Sequence, residues 1–115
     1  MPQGTADRIR RQGAVRRVAA MAERNDLGQL EFEAVVRRET TNKHDSNALA
    51  VYGPGRLHLG YVAREDAAAL RRYFWHLKET GRVAVCRGII IGEGKPNLGV
   101  VLDLDVQRLK REWKL

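Results

Sequence analysis

Residues 30–37 read LEFEAVVR, and this stretch decides the fold class. The side chains at positions 30, 32, 34 and 36 are apolar, whereas those between them are charged, except for Val35. A period of two is typical of a β-strand with one buried face and one face toward solvent. The segment therefore predicts a half-buried strand.

More strands are predicted after this one. A polar turn occupies residues 40–47, and Gly53-Pro54-Gly55 predicts a hairpin. The run 92–97 predicts a second hairpin turn, and Gly88 predicts a bulge or bend. Four further strands are predicted from apolar runs, at residues 48–52, 57–62, 83–91 and 98–106.

Two helices are predicted as well. Residues 65–81 predict one inserted helix, because Glu65 and Asp66 suit its positive end and Gly81 suits its C-terminal stop. The segment Thr5–Glu23 predicts a basic helix, which carries a modest apolar stripe at Val15, Val18, Ala19 and Ala22.

The predicted fold is mainly β (α+β): an OB-like small β-barrel with one inserted helix, plus a basic N-terminal helix. A chain of 115 residues suits one compact domain. We divide it into a basic helical extension at 1–28, the barrel at 29–106 and a basic amphipathic tail at 107–115.

The positive charge lies at the two ends of the chain. The formal net charge is +7, from 21 Lys and Arg against 14 Asp and Glu. Residues 1–24 hold six Arg and two acids, residues 107–115 hold four bases and one acid, and the segment between them is neutral. Basic ends suit contact with a polyanion such as nucleic acid, although improved solubility would explain them equally well.

Several other classes of protein are disfavoured. The single Cys86 excludes a disulfide framework, and its apolar strand suggests an inert thiol. We expect an intracellular domain in the cytoplasm, associated with the nucleoid and with no membrane contact. The sequence has no phosphate-binding loop, nucleophile elbow or metal-ligand spacing, and Asp103 and Asp105 have no obvious third ligand for a nuclease metal. We therefore expect no catalysis, metal or cofactor.

Asn42, Asp45 and Asn47 are close together in the loop that follows the predicted strand at residues 30–37. The simplest interpretation is a turn in which these side chains bond to their own backbone. The wider pattern is more specific, and it comprises Arg38-Glu39-x-x-Asn42-x-x-Asp45-x-Asn47-Ala48-Leu49-x-Val51, followed by Gly60-Tyr61-Val62-x-Arg64-Glu65.

This pattern resembles the HIRAN domain over about residues 29–106. That family occurs in fork-remodelling helicase-like ATPases and as stand-alone bacterial or phage-type proteins. The resemblance implies an OB-like barrel and a non-catalytic module that binds single-stranded DNA at a free 3′ end, in repair, replication-fork or restriction contexts. A carboxylate suits such a site because it accepts a terminal 3′-hydroxyl, which an internal phosphodiester lacks.

The resemblance also assigns roles to residues. Asp45 would accept the 3′-hydroxyl, Asn42 would hold the terminal nucleotide and His44 would stack on a base. The backbone phosphates would be contacted by Tyr61 and Arg64. Two further residues of the motif complete the predicted DNA-binding set, namely Arg38 and Asn47.

Two departures from the family pattern leave alternatives open. The family often has Pro and an aromatic residue where this chain has Lys43-His44, and a first strand usually precedes the barrel. Here residues 1–28 predict a helix instead of that first strand. Either the wall of the binding pocket that the strand would form is missing, or the basic N-terminal arm at 1–28 replaces it. The alternative function is a protein-interaction module that recruits a partner nuclease or helicase through the tail residues Leu109 and Trp113 and the stripe at Val15, Val18 and Ala22.

Overall fold

The computed structural model describes residues 4–5 and 11–113. Within them, antiparallel strands form one curled sheet, a half-barrel consistent with the predicted OB-like α+β fold. The strands are β1 (Gly4–Thr5), β2 (Glu23–Arg24), β3 (Leu30–Arg38), β4 (Leu49–Tyr52), β5 (His58–Tyr61), β6 (Ala84–Ile91) and β7 (Gly99–Asp103). The helices are α1 (Gln12–Met21), α2 (Arg64–Ala69), α3 (Arg71–Glu79) and α4 (Val106–Glu112), and Pro54–Arg56 forms a short 3₁₀ turn.

The strand β3 is the centre of the sheet. The strand order is β1-β7-β6-β3-β4-β5, and β2 also pairs with β3. The predicted alternation is confirmed, because Phe32, Ala34 and Val36 are buried while Glu33 and Arg37 are exposed. The buried face belongs to one apolar core, which α1 and α3 also line. Both predicted hairpins are present, β4–β5 and β6–β7.

The predicted bulge at Gly88 is wrong. The pairing of β6 runs through Gly88 without a shift, opposite Phe32 on one side and Leu102 on the other. A Cβ atom at this position would lie 2.4 Å from Cζ of Phe32. The glycine therefore makes room for a buried ring rather than forming a bulge.

The helix predicted at residues 65–81 is two helices, α2 and α3. Leu70 separates them, with φ of −99° and ψ of 9°. Neither Gly nor Pro marks this position, and Leu70 is 1% exposed. Packing of the Leu70 side chain in the core, rather than a local helix breaker, accounts for the break.

The two ends of the chain also differ from the prediction. The predicted helix at Thr5–Glu23 is confirmed only as α1, since Thr5 pairs with Val101 at the edge of the sheet and Glu23 pairs with Glu31. Arg8 and Arg10 of that prediction lie outside the described residues. Val106 begins α4 instead of ending a strand, because the Asp105 carboxylate accepts a hydrogen bond from the Arg108 amide at 2.9 Å and caps the helix.

The apolar side chains assigned to a partner protein belong to the domain itself. Val15 and Val18 are fully buried, and Leu109 is on the buried face of α4. Trp113 is half-buried, with ring centroids 5.4 Å from Tyr73 and 5.1 Å from His76. These side chains are therefore not available as the predicted docking surface. In the described part of the chain, no helix has the length and apolar character needed to span a membrane.

Candidate nucleic-acid interface

A cleft of about 370 Å³ brings together five of the seven predicted site residues. The β3–β4 loop supplies three of them, and the end of β5 with the start of α2 supplies two. Ala48 and Val62 complete the lining. The five residues are Asn42, His44, Asp45, Tyr61 and Arg64.

Asn42 holds the loop in shape. Its side-chain oxygen accepts hydrogen bonds from the backbone amides of His44 and Asp45, at 2.9 and 3.0 Å. Its side-chain nitrogen donates to Glu39 at 3.0 Å. This is the turn chemistry expected of asparagine, and it fixes the direction in which Asp45 points.

Glu39 connects the loop to β5. Its carboxylate accepts the Tyr61 hydroxyl, at 3.0 and 3.1 Å from its two oxygens, as well as the Asn42 amide. Burial, followed by the hydrogen bond to Glu39, raises the pKa of Tyr61. Tyr61 therefore stays protonated. For its hydroxyl to donate a hydrogen bond to a phosphate, the phosphate must replace the Glu39 carboxylate as the acceptor.

Asp45 and Arg64 place opposite charges side by side in the cleft. One carboxylate oxygen of Asp45 accepts from the Asn47 amide at 2.9 Å, and the other lies 3.7 Å from Nε of Arg64. Nη2 of Arg64 donates to the His44 carbonyl at 3.1 Å. The Asp45 side chain is 21% exposed and that of Arg64 is 67% exposed. The carboxylate is thus held by the loop with one oxygen within reach of a ligand, beside a well-exposed cation.

Aromatic rings support the Tyr61 side of the cleft. The His58 ring stacks on Tyr52 at 5.0 Å and meets the edge of Tyr61 at 5.1 Å, while its Nε2 donates to the Gly60 carbonyl at 3.0 Å. His58 is therefore half-buried between the two tyrosine rings. Burial, followed by the positive charge of Arg11, lowers the pKa of His58.

The remaining predicted residues, Arg38 and Asn47, line a neighbouring cavity of about 500 Å³. They share it with Arg71, Arg72 and Trp75 of α3. Asn47 lies in the same loop as Asp45 and bonds to it, so the two cavities adjoin at this loop.

Sequence reasoning missed the roles of Glu39 and Arg11. Glu39 stands in the quoted motif, and its spacing of three from Asn42 was the available clue. Arg11 precedes α1, and its charge acts on both His58 and Tyr61. Arg11 is therefore close enough to the Tyr61 side of the cleft for its charge to act on these two rings.

A model of the HIRAN domain family matches residues 17–107 of the chain. This chain belongs to the HIRAN domain family. HIRAN domains bind DNA and are not catalytic domains, so membership supports nucleic-acid binding as the general function. Searches of the curated proteins and of the solved structures returned no significant match.

Proposed function

We propose that this HIRAN domain binds single-stranded DNA and prefers a strand with a free 3′-hydroxyl. The observation that carries the proposal is the Asp45 carboxylate, which is partly buried in the cleft with one oxygen bonded to the loop and the other facing Arg64. A carboxylate repels phosphate, so a plain DNA groove would not place one there. It accepts a hydroxyl proton well.

The charges of the cleft fit a strand end rather than a continuous strand. In our proposal Arg64 binds the last internucleotide phosphate, while Asp45 accepts the terminal hydroxyl. A 3′-phosphate would bring two further negative charges against Asp45 and would bind less well. His44 is exposed at the rim, where its ring can stack on the terminal base.

The first test compares three oligonucleotides by fluorescence anisotropy at two salt concentrations: a strand with a 3′-hydroxyl, the same strand with a 3′-phosphate, and a blunt duplex. We expect the hydroxyl strand to bind about tenfold more tightly than the phosphate strand, the equivalent of one charged hydrogen bond. Equal affinity for all three would contradict the end preference and leave a salt-dependent DNA-binding domain.

The second test is Asp45→Asn, which keeps an oxygen for the Asn47 amide and removes the charge. We expect the 3′-phosphate strand to bind this variant nearly as well as the hydroxyl strand. Asp103→Asn is the matched control, because Asp103 is an exposed acid that pairs with Arg87 outside the cleft. If Asp45→Asn keeps full discrimination between the two strands, the proposed role of Asp45 is wrong.

The same chemistry suits the repair, replication-fork or restriction contexts in which free 3′ ends arise. A DNA-processing enzyme that acts on such ends is the partner we propose for this domain.

A further inference from the structure

A basic strip beside the cleft contains an exposed tryptophan. Trp75 is 56% exposed, although it is the largest kind of apolar side chain. On α3 it follows Arg71 by four residues and Arg72 by three, a spacing that places all three on one side of the helix. We call this surface the α3 strip, and it comprises Arg38, Arg71, Arg72, Trp75, Lys78 and Arg82.

The fold itself does not account for Trp75. The other tryptophan, Trp113, packs on Tyr73 and His76, whereas no aromatic ring of the described residues stacks on Trp75. The cavity beside Trp75 is lined by three arginines and one asparagine, with no acid. A large ring exposed among cations is the arrangement with which proteins stack a nucleic-acid base between phosphate contacts.

The cations of the α3 strip are not neutralised by the fold. None of them forms an ion pair with an acid among the described residues. By contrast, Glu23, Glu31 and Glu33 line a separate cavity next to Cys86. The α3 strip is therefore separate from this acidic cavity, which also contains Arg87, and it adjoins the cleft.

The α3 strip is continuous with the cleft. Arg38 lines the Trp75 cavity and also the next one, of about 210 Å³, which Lys78 and Arg82 line. Asn47 joins the Trp75 cavity to Asp45 through the hydrogen bond at 2.9 Å. A strand whose 3′ end lies at Asp45 can therefore continue past Asn47 onto α3.

We propose that the α3 strip binds the single-stranded DNA upstream of the 3′ end, with one base stacked on Trp75 and the flanking phosphates on Arg71, Arg72 and Arg38. This inference rests on the proposed function and adds a second subsite to it. The end cleft provides the preference for a hydroxyl, and the α3 strip provides affinity that grows with strand length.

The test measures anisotropy with 3′-hydroxyl strands of about 4 and about 10 nucleotides, within the range that one OB-type domain covers. We expect the longer strand to bind more tightly to the wild-type domain. Trp75→Ala should weaken binding of the long strand about tenfold, the usual effect of losing one stacked base, and leave the short strand unchanged. Trp75→Phe keeps a stacking face and should recover part of the loss.

Two further measurements identify the contacts. DNA should quench the tryptophan emission of the wild-type domain but much less that of Trp75→Phe, which retains only Trp113. Arg72→Ala should lower the slope of log affinity against log salt by about 0.7, the value for one phosphate contact on a single strand. Arg87→Ala removes the same charge next to Glu31 and Asp103 and should leave the slope unchanged.

The two proposals fail separately. If the long strand binds Trp75→Ala as tightly as wild type and does not quench Trp75, the α3 strip is not a DNA subsite, whatever the end preference. If the length effect depends on Trp75 but a 3′-phosphate binds as well as a hydroxyl, the α3 strip stands and the proposed role of the cleft is wrong.

Discussion

The Tyr61 hydroxyl lies 3.0 and 3.1 Å from the two carboxylate oxygens of Glu39, so the end of β5 is tied to the loop that carries Asp45. The same carboxylate accepts the side-chain amide of Asn42. A negative charge beside the cleft would oppose the phosphate binding that we propose there. The hydrogen bonds of Glu39 to Tyr61 and Asn42 give the carboxylate a structural role, since they join the two walls of the cleft.

We therefore expect Glu39→Ala to weaken binding of single-stranded DNA about tenfold, because Tyr61 and Asn42 lose a charged hydrogen-bond acceptor. Glu39→Gln should bind at least as well as wild type, since the amide keeps an acceptor and lacks the charge. Glu33→Ala is the control, since Glu33 is an exposed acid on β3, the strand that precedes Glu39. Anisotropy titrations measure the affinity of each variant. If Glu39→Ala binds as tightly as wild type, the hydrogen bonds of Glu39 do not position Tyr61 and Asn42 for binding.

The close approach of Phe32 to Gly88 gives a stability prediction. Gly88→Ala should lower the free energy of unfolding by about 1–3 kcal/mol, because its Cβ would overlap the buried ring. Gly13→Ala is the matched control, since no atom lies within 4 Å of its added Cβ. That change should raise the free energy of unfolding by about 0.5–1 kcal/mol, because alanine favours the helix.

Urea unfolding measures both variants. Adding Phe32→Leu to Gly88→Ala should cost less than the sum of the two single changes, since the smaller side chain leaves room for the methyl group. If the two effects are additive, contact with the Phe32 ring is not the reason that position 88 requires glycine.

Local patterns of the sequence were enough to predict most of the sheet. The period of two in β3 and the turn residues between β4 and β5 depend on neighbours along the chain, so they can be recognised without the fold. The five residues that the cleft brings together were predicted from the resemblance to the HIRAN domain, which rests on the loop motif and on Gly60-Tyr61-Val62-x-Arg64. Their roles in DNA binding remain predictions.

Features that depend on contacts between distant residues could not be predicted. Gly88 was interpreted as a bulge because its contact with Phe32 exists only in the folded sheet. The break at Leu70 has no sequence marker, since core packing produces it. Residues 25–106 are neutral in sum, and only the fold shows that Arg71 and Arg72 gather beside the cleft while Glu31 and Glu33 lie elsewhere.

The single cysteine should react slowly in the folded domain. Burial, with a smaller contribution from the negative charge of Asp103, raises the pKa of Cys86 to about 11. At pH 8 the thiolate fraction should therefore be about a hundredfold smaller than in the unfolded chain, where the thiol has its ordinary pKa.

A chromogenic disulfide reagent measures the reaction rate of the thiol directly, because Cys86 is the sole thiol of the chain. We expect slow modification in buffer, fast modification in concentrated guanidinium, and a moderately faster reaction in folded Asp103→Asn. Equal rates in buffer and in guanidinium would show that the thiol is not shielded by the fold.

His58 should make the stability of the domain depend on pH. Its pKa is lowered in the folded domain by burial and by Arg11, so the fold favours the neutral ring. As the pH falls below about 6.5, the ordinary pKa of histidine, the unfolded chain binds the proton first. The free energy of unfolding should therefore decrease on acidification from pH 7, and the decrease should stop below the folded pKa.

His58→Phe keeps a ring between Tyr52 and Tyr61 but does not titrate, so it removes the contribution of His58 alone. Urea unfolding of both proteins at pH 7 and pH 5 should give a smaller loss of stability for the variant than for wild type. If both proteins lose the same free energy of unfolding, groups other than His58 cause the acid sensitivity. A smaller loss would show that the folded domain favours a neutral ring beside Tyr61, so that protonation of His58 opposes the packing that supports this side of the cleft.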